Sequence, residues 1–300
     1  MKIRMSLLGM FLLIPVLSAS FVAGQVQEDD KKEDLPFIVR DPKDLGIAIP
    51  TGGPVVPGRG RKALVKNHAG EETVGKIHVQ VGGRSIMLMP NGRLISVLTK
   101  DAKETDQEFI PYTHDELIQE LKKRHVPGFR TRKTRRYVYL YNTSEIFAKG
   151  TGAILEKMYP ALLAYLKRAK IELKDPETPL AVLMFRNEKE YQAFRKMPPN
   201  VVAYYDVIAN FIVMREPAEL AGLAPDLAVR SAISTVAHEG VHQILFNVGV
   251  QQRLSRWPMW ISEGLPEYFA ATEVKRGMWK GVGQTNDMRM KNLIDYYKAK

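Results

Sequence analysis

The segment His238-Glu239-Gly240-Val241-His242 carries the residue types best suited to chemistry. Apolar residues recur around it at helical spacing, with Asp226 as a favourable first cap and Gly249 as a terminator, so we predict a helix running to about Asn247. Residues four apart on a helix lie one turn apart, so the two imidazoles could bind one metal ion. Glu239 projects to the side, where it could reach a water bound to that ion. The pattern indicates a metal site with a general base beside it.

A second segment could complete the set of metal ligands. Glu263 follows His242 by 21 residues and lies at a predicted helix start, with Ser262 as the N-cap and Pro266 in the tolerant first turn. Because the chain contains no cysteine, nitrogen and oxygen atoms must hold any metal. Two imidazoles and one carboxylate are a known ligand set for catalytic zinc, which keeps one position for water. We therefore predict one Zn²⁺ ion bound by the histidine pair and Glu263.

Two further residues near the motif have predicted supporting roles. Glu267 lies one turn after Glu263, so its carboxylate could hydrogen-bond the second nitrogen of a ligand histidine and hold the ring in place. Gly240 costs the helix about 1 kcal/mol relative to alanine, and it either marks close approach of another part of the chain or has no particular role. The alternatives are an ordinary polar helix face for the histidines, a dipole-stabilised carboxylate for Glu263 and an ordinary solvated glutamate for Glu267.

At these residues the sequence resembles the gluzincin metallopeptidases, the clan of thermolysin and the zinc aminopeptidases. In that clan the histidine motif is followed by a helix that carries a glutamate ligand. The resemblance implies that His238, His242 and Glu263 bind zinc, and that Glu239 is the general base of peptide-bond hydrolysis. The order of elements from Pro179 to Phe269 also looks like a family of secreted bacterial proteins of unknown function related to that clan.

Related enzymes add a tyrosine or histidine, downstream of the glutamate ligand, that stabilises the negatively charged oxygen of the transition state. No histidine follows His242 in this chain, and the sequence ends 37 residues after Glu263, short of the lobe that usually completes the cleft. A zinc-binding but non-hydrolytic surface or binding protein is therefore the alternative to an enzyme. The tyrosines that could stabilise the oxyanion, among which the choice stays open, are Tyr204, Tyr205, Tyr296 and Tyr297.

The first 24 residues have the features of a secretory signal peptide. Lys2 and Arg4 form a cationic start, Leu7–Leu17 is a short apolar run, and small residues precede a cleavage point at Gly24. The alternative is an uncleaved anchor, because Met5–Gly24 is about long enough to span a bilayer. The short apolar core favours cleavage, so we expect a periplasmic, cell-surface or extracellular protein without a stable membrane span. Losing two cations would lower the formal net charge from +11 to +9.

The remainder is predicted to be an α+β protein with a zincin-like catalytic domain. Its composition, 45% hydrophobic and 26% charged, argues against wholesale disorder and against a multi-span membrane protein. The catalytic domain should combine a small mixed sheet with the histidine helix and the glutamate helix. The predicted regions are a signal peptide at 1–24, a flexible Pro/Gly-rich tether at 25–70, a small β module with one helix at 71–126, and the zincin-like domain at 127–300.

Local patterns predict the elements that position the site. Val74–Leu98 should form a three-stranded meander, because Gly82-Gly83 and Asn91-Gly92 are dipeptides that accept the positive φ of tight turns. Strands and helices follow from apolar runs and caps. The strands are Tyr137–Tyr141, Leu180–Phe185 and a pair within Val201–Met214, and the helices are Asp115–Lys123, Ser144–Arg168 and Glu188–Lys196.

The segment Lys122–Arg136 carries eight lysines and arginines ahead of three alternating tyrosines. Such a strip could bind an anionic polymer or nucleic acid. A solvated sheet edge is the favoured interpretation, since like charges keep edge strands from pairing, and export further disfavours nucleic acid. We expect a peptide or protein substrate, with at most weak polyanion contact through this strip. A polyanion-binding wall protein is a third hypothesis.

Overall fold

The computed structural model describes residues 47–50, 52–67, 70–198, 201–217, 225–255, 257–270, 273–275, 278–280, 282–285 and 287–298. The predicted signal peptide and the first part of the predicted tether lie outside the described residues. Those that are described belong to a single unit and form a mixed α+β protein with two main sheets. The division of the chain into functional modules stays a prediction.

The N-terminal sheet is antiparallel and has six strands among the described residues. Its order is β5-β4-β3-β2-β6, and β1 pairs with β3 beside this path. The strands are β1 Val55–Pro57, β2 Lys62–Lys66, β3 Glu72–Val81, β4 Arg84–Leu88, β5 Leu94–Leu98 and β6 Lys103–Glu104. The predicted meander is confirmed as β3, β4 and β5, with Gly82 and Gly83 at positive φ in the first turn.

Strands β1 and β2 lie where the sequence predicts a flexible tether, which corrects that prediction over Val55–Lys66. Strand β2 pairs with β3 along its whole length. Alternate residues of β2 face the interior, so Ala63 and Val65 are buried in an apolar cluster with Ile77 and Met87. The run is short and flanked by proline and glycine, so its two-residue period is hard to read before the partner strand is known.

The second sheet has order β10-β11-β9-β8-β7 and carries the helices that form the candidate site. Its strands are β7 Arg130–Lys133, β8 Tyr137–Tyr141, β9 Leu180–Phe185, β10 Ala203–Asp206 and β11 Phe211–Arg215. The central strands β8, β9 and β11 are parallel, and the edge strands are antiparallel to their neighbours. Every residue of the three central strands is buried, as expected when helices cover both faces.

Six α-helices are present in the described residues. They are α1 His114–Arg124, α2 Glu145–Arg168, α3 Glu188–Phe194, α4 Pro225–Asn247, α5 Met259–Ala270 and α6 Asp287–Lys298. Helices α2 and α4 pack on one face of the second sheet, and α1 and α3 on the other. Within the described parts of the chain, none of these helices combines the length and apolar character needed to cross a membrane. Between α5 and α6 lies a hairpin of β12 Glu273–Lys275 and β13 Met278–Lys280.

Helix α5 begins earlier than its sequence predicts. It starts at Met259, directly after Pro258, whose carbonyl accepts hydrogen bonds from the N–H groups of Ile261 and Ser262. Ser262 is therefore inside the helix and is not its N-cap. Pro266 consequently lies in the helix interior, where it removes one backbone hydrogen bond, and not in the first turn.

The two sheets are joined through the side chain of Arg253, in the connection between α4 and α5. Its guanidinium donates to the carbonyls of Gly92 (2.8 Å), Val207 (2.6 Å) and Ile208 (2.7 Å). Gly92 belongs to the turn between β4 and β5, whereas the other two carbonyls belong to the loop between β10 and β11. Arg253 thus holds the α4–α5 connection against both sheets.

Helix α4 lies directly against α2 at Gly240, so this glycine marks a close approach of another part of the chain. A β-carbon at this position would lie 2.4 Å from Leu155 Cδ2 and 2.5 Å from Met158 Cε. Both of these side chains are fully buried. The glycine therefore allows the helix that carries the histidines to pack directly on α2.

Two glycine-to-alanine substitutions should separate helix propensity from packing. A β-carbon added to Gly150, on α2, would have nothing within 4 Å, so Gly150→Ala should raise the free energy of unfolding by about 1 kcal/mol. In Gly240→Ala the same gain is outweighed by overpacking that costs about 1–3 kcal/mol, so we expect a net loss of about 1 kcal/mol. Urea unfolding of both variants measures the difference. Equal gains in stability would contradict the close packing of α4 on α2.

Candidate metal centre

Helix α4 presents two histidines to a single carboxylate on α5. The rings of His238 and His242 are both buried, with centroids 4.9 Å apart. Glu263 Oε2 lies 3.2 Å from His238 Nε2 and 3.4 Å from His242 Nε2. One ligand atom from each residue can be chosen so that all lie within 4.8 Å of one another. These residues, predicted from the sequence as ligands, are brought together by the fold.

The distances from Glu263 Oε2 to the two ring nitrogens suit one small metal ion. In a tetrahedral zinc site with bonds of about 2.0–2.1 Å, neighbouring ligand atoms are about 3.4 Å apart. Both nitrogen-to-oxygen separations agree with this value. The donor set of two imidazoles and one carboxylate also suits zinc. The Glu263 side chain is one-third exposed, so the group is open to solvent on the α5 side.

Glu267 contacts the other nitrogen of the first histidine. Its Oε1 atom lies 3.2 Å from His238 Nδ1, on the side of the ring opposite Glu263. Burial lowers the pKa of His238, but the two carboxylates outweigh that effect and raise it to about 10. Burial raises the pKa of Glu263, yet the two imidazoles hold it well below its usual range. In protein prepared without metal, His238 therefore carries a proton that a metal ion must displace.

The ring of His242 is supported by an aromatic stack and by its own helix. Phe246, one turn later on α4, lies nearly parallel to it, with centroids 6.5 Å apart and an interplanar angle of 17°. Tyr205 from β10 stacks in turn on Phe246 at 5.8 Å and 19°. The two histidines thus have different supports, a carboxylate for His238 and stacked rings for His242.

The predicted oxyanion stabilisers occupy different parts of the molecule. Successive residues of β10 face opposite sides of the sheet, and Tyr204 packs with Tyr191 on the face away from α4. Tyr205 faces α4, but its hydroxyl donates to Asn210 Oδ1 at 2.7 Å, and burial raises its pKa to about 12. Tyr297 is 69% exposed on α6. The side chain of Tyr296 lies outside the described residues.

The basic segment Lys122–Arg136 forms the end of α1, the loop after it and the exposed edge strand β7. Four of its eight cations lie within ion-pair distance of carboxylates. The pairs are Arg124–Glu120, Arg130–Glu145, Lys133–Asp115 and Arg136–Glu156. Much of the positive charge of the strip is therefore balanced locally.

Comparison with known protein families gives a match over the C-terminal part of the chain. A family model described as a protein of unknown function (DUF1570) matches residues 232–300. The matched segment resembles that family. It includes the histidine motif of α4 together with Glu263 and Glu267 on α5. No curated protein matches the chain.

Two residues that support the site are absent from our sequence predictions. Phe246 is four residues after His242, so helical spacing could have placed the rings together, but an apolar residue at that position is equally typical of core packing. Arg253 makes its contacts with carbonyls 45 to 161 residues away in the chain. No local pattern could have revealed that role.

Zinc binding should release a proton from His238. At about pH 7.5 an ordinary histidine is mostly neutral, whereas one with a pKa near 10 is protonated, so we expect release of about one proton per zinc bound. Calorimetric titration of metal-free protein in buffers that differ in ionisation enthalpy measures this number.

Glu267→Gln is the matched variant for this measurement. Removing one of the two carboxylates should lower the pKa of His238, so the loss of proton release as the pH is raised should occur at a lower pH in the variant than in the wild type, while zinc affinity should fall by about 10–100-fold. The same pH dependence of proton release in the variant and the wild type would contradict the assigned contact between Glu267 and His238.

Proposed function

We propose that this protein is a zinc-dependent, metallopeptidase-like hydrolase with a zincin-like fold. The observation that carries the proposal is the convergence of His238 Nε2 and His242 Nε2 on one oxygen of Glu263. A second observation supports it: the carboxylate of Glu267 lies against the far nitrogen of His238, as in histidine ligands of zinc. The sequence resemblance to gluzincins points to the same ligands.

The side chains around the site have roles that follow from their positions. Bound zinc would supply a Lewis acid that polarises a peptide carbonyl and lowers the pKa of a water. Glu239 is half-buried on α4, beside His238 and about 100° around the helix from it, and so faces the flank of the ligand cluster. Its carboxylate would accept a proton from water and pass it to the leaving nitrogen. The reaction would be hydrolysis of an amide bond in a peptide or protein.

The protein would act outside the cytoplasm. The N-terminal sequence supports export through a signal peptide, and the absence of cysteine is compatible with any redox compartment. Nucleic acid is not an expected partner. Weak polyanion contact through Lys122–Arg136 would depend on the four cations of that strip that have no carboxylate pair described above, and it would weaken steeply with salt.

A zinc-binding protein without hydrolytic activity is the second candidate. The observation that favours it is the placement of the strand tyrosines: Tyr204 faces away from α4, and the hydroxyl of Tyr205 bonds Asn210. Neither hydroxyl is directed at the ligand cluster. In that case the metal would stabilise the arrangement of α4 and α5.

Two isosteric substitutions should separate zinc binding from catalysis. Glu239→Gln should retain about one zinc per chain and lose at least about 100-fold in kcat, because the general base is removed. Glu263→Gln should lose zinc as well, because a carboxylate ligand is replaced by a weaker amide. Metal analysis and hydrolysis of an unstructured protein, with and without chelator, measure both properties.

The outcomes distinguish the two candidates. Zinc bound by wild-type protein without any hydrolysis would support the non-hydrolytic protein. Hydrolysis that survives both Glu239→Gln and chelation would refute the proposed mechanism.

A further inference from the structure

A cleft lined by charged side chains lies on the face of the second sheet away from α4. It is bounded by the turn between β4 and β5, the C-terminal end of α1 and the start of β11. Arg93 lines it from the turn, and Glu120, Arg124 and His125 line it from α1 and the cap of that helix. Its volume of about 290 Å³ lies at the lower limit of the range of about 300–1,000 Å³ typical of small-molecule sites. The cleft therefore suits a small ligand.

Arg93 carries a positive charge in this cleft that no carboxylate of the described residues neutralises. Its Nε atom is buried and has no hydrogen-bond partner in the described part of the chain. The two nearest carboxylates are already paired: Glu120 Oε1 lies 2.6 Å from Arg124 Nε. Asp206 Oδ2 likewise lies 2.6 Å from Arg195 Nη1. Burial lowers the pKa of Arg93, but an arginine stays protonated at neutral pH, so the cleft has one positive charge in excess.

Glu120 retains one oxygen that can accept a hydrogen bond. Its Oε1 atom accepts from Asn91 Nδ2 at 3.3 Å and is also the atom paired with Arg124. Its Oε2 atom accepts no hydrogen bond from the described residues. A ligand of this cleft would therefore lie beside a carboxylate oxygen as well as a guanidinium.

His125 adds a hydrogen-bond donor to the cleft. Its ring packs edge-on against Phe194 and Phe211, with centroids 5.8 and 5.7 Å apart. Burial, and then the charge of Arg93, lower its pKa, so the imidazole is neutral at neutral pH and carries one N–H group. Neither ring nitrogen hydrogen-bonds any residue that the structure describes. The cleft thus combines N–H donors with one carboxylate acceptor.

We propose that this cleft binds one free hydrogen phosphate ion. Its deprotonated oxygens would accept hydrogen bonds from the Arg93 guanidinium and the His125 imidazole, while its P–OH group would donate to Glu120 Oε2. Sulfate has a similar size and shape but carries no proton at neutral pH, so one of its oxygens would face the carboxylate without a hydrogen bond. The site should therefore select phosphate over sulfate. It is separate from the proposed metal centre, because the second sheet lies between them.

Calorimetric titration with inorganic phosphate and with sulfate, at neutral pH and constant ionic strength, tests the proposal on the full chain. We expect about one phosphate bound per chain, with or without chelator. Sulfate should bind at least about tenfold more weakly, because the hydrogen bond to a charged group is lost. Binding of phosphate that disappears on chelation would assign the ion to a bound metal and overturn the proposal.

Two substitutions test the donor and the acceptor separately. Arg93→Met should weaken phosphate binding about 10–100-fold, because a charged hydrogen-bond donor is removed. Glu120→Gln supplies an amide that can donate as well as accept, so the preference for phosphate over sulfate should fall below about threefold. Arg132→Met is the matched control, since it removes the same charge from the exposed strand β7, outside the cleft, and should change affinity less than about twofold.

The remaining outcomes each decide the proposal. Absence of saturable phosphate binding, or equal affinity of the wild type for phosphate and sulfate, would overturn it. An equal loss of affinity in Arg132→Met and Arg93→Met would attribute binding to the net positive charge of the protein and would also overturn it. Thermal midpoints measured without phosphate show whether each variant is folded. If Arg93→Met does not fold, the selectivity of Glu120→Gln still decides, because a change in overall stability does not exchange one anion for another.

Discussion

The convergence of two imidazoles on one carboxylate is the interaction on which the rest of this structure depends. Its three groups come from two helices and are largely removed from water. Ionised groups buried in this way are energetically costly unless they are paired or bind metal. His238 and Glu263 meet this requirement by stabilising each other's charged forms. A bound metal ion would replace the proton of His238 and would likewise supply positive charge beside the Glu263 carboxylate. Attraction between positive charge on the α4 side and this carboxylate therefore holds α5 against α4 with or without metal.

The surrounding packing serves to keep α4 and α5 at this separation. On one side, Gly240 lets α4 lie directly on α2, so the position of the histidine helix is set by the core of the second sheet. On the other, Arg253 fixes the connection that leads into α5. The rings of Tyr205 and Phe246 support His242 from the sheet side. Each support acts on a different part of the ligand cluster.

Features with a local cause were predictable from the sequence. The histidine helix, the meander turns at Gly82-Gly83 and the capped start of α1 all depend on residues within a few positions of one another. Glu263 was also predictable as a candidate ligand, because it lies on a second helix that follows the motif after a short connection. The predicted start of that helix at Ser262 was wrong, since the helix begins at Met259 and Glu263 lies in its second turn. The spacing of chemically suited residues therefore identified the candidate ligands without knowledge of the fold.

Features that depend on distant partners were not predictable. The start of α5 at Met259 has no conventional capping residue, and β2 is recognisable as a strand only beside β3. To predict which face of the sheet Tyr204 and Tyr205 each occupy, one must know the register of β10 against its neighbouring strand and which face α4 covers. A single residue of register exchanges the two side chains, and sequence alone does not set it.

The hydrogen bonds of Arg253 also show how far the C-terminal region depends on the N-terminal sheet. One of its three acceptors, the carbonyl of Gly92, belongs to the N-terminal sheet, and the guanidinium is buried. A fragment that begins after that sheet would expose the residues around the Arg253 guanidinium. One of its N–H groups would also lose the Gly92 carbonyl as its acceptor. The second sheet therefore depends on the first for its full set of hydrogen bonds, and the N-terminal strands are part of the scaffold of the ligand cluster.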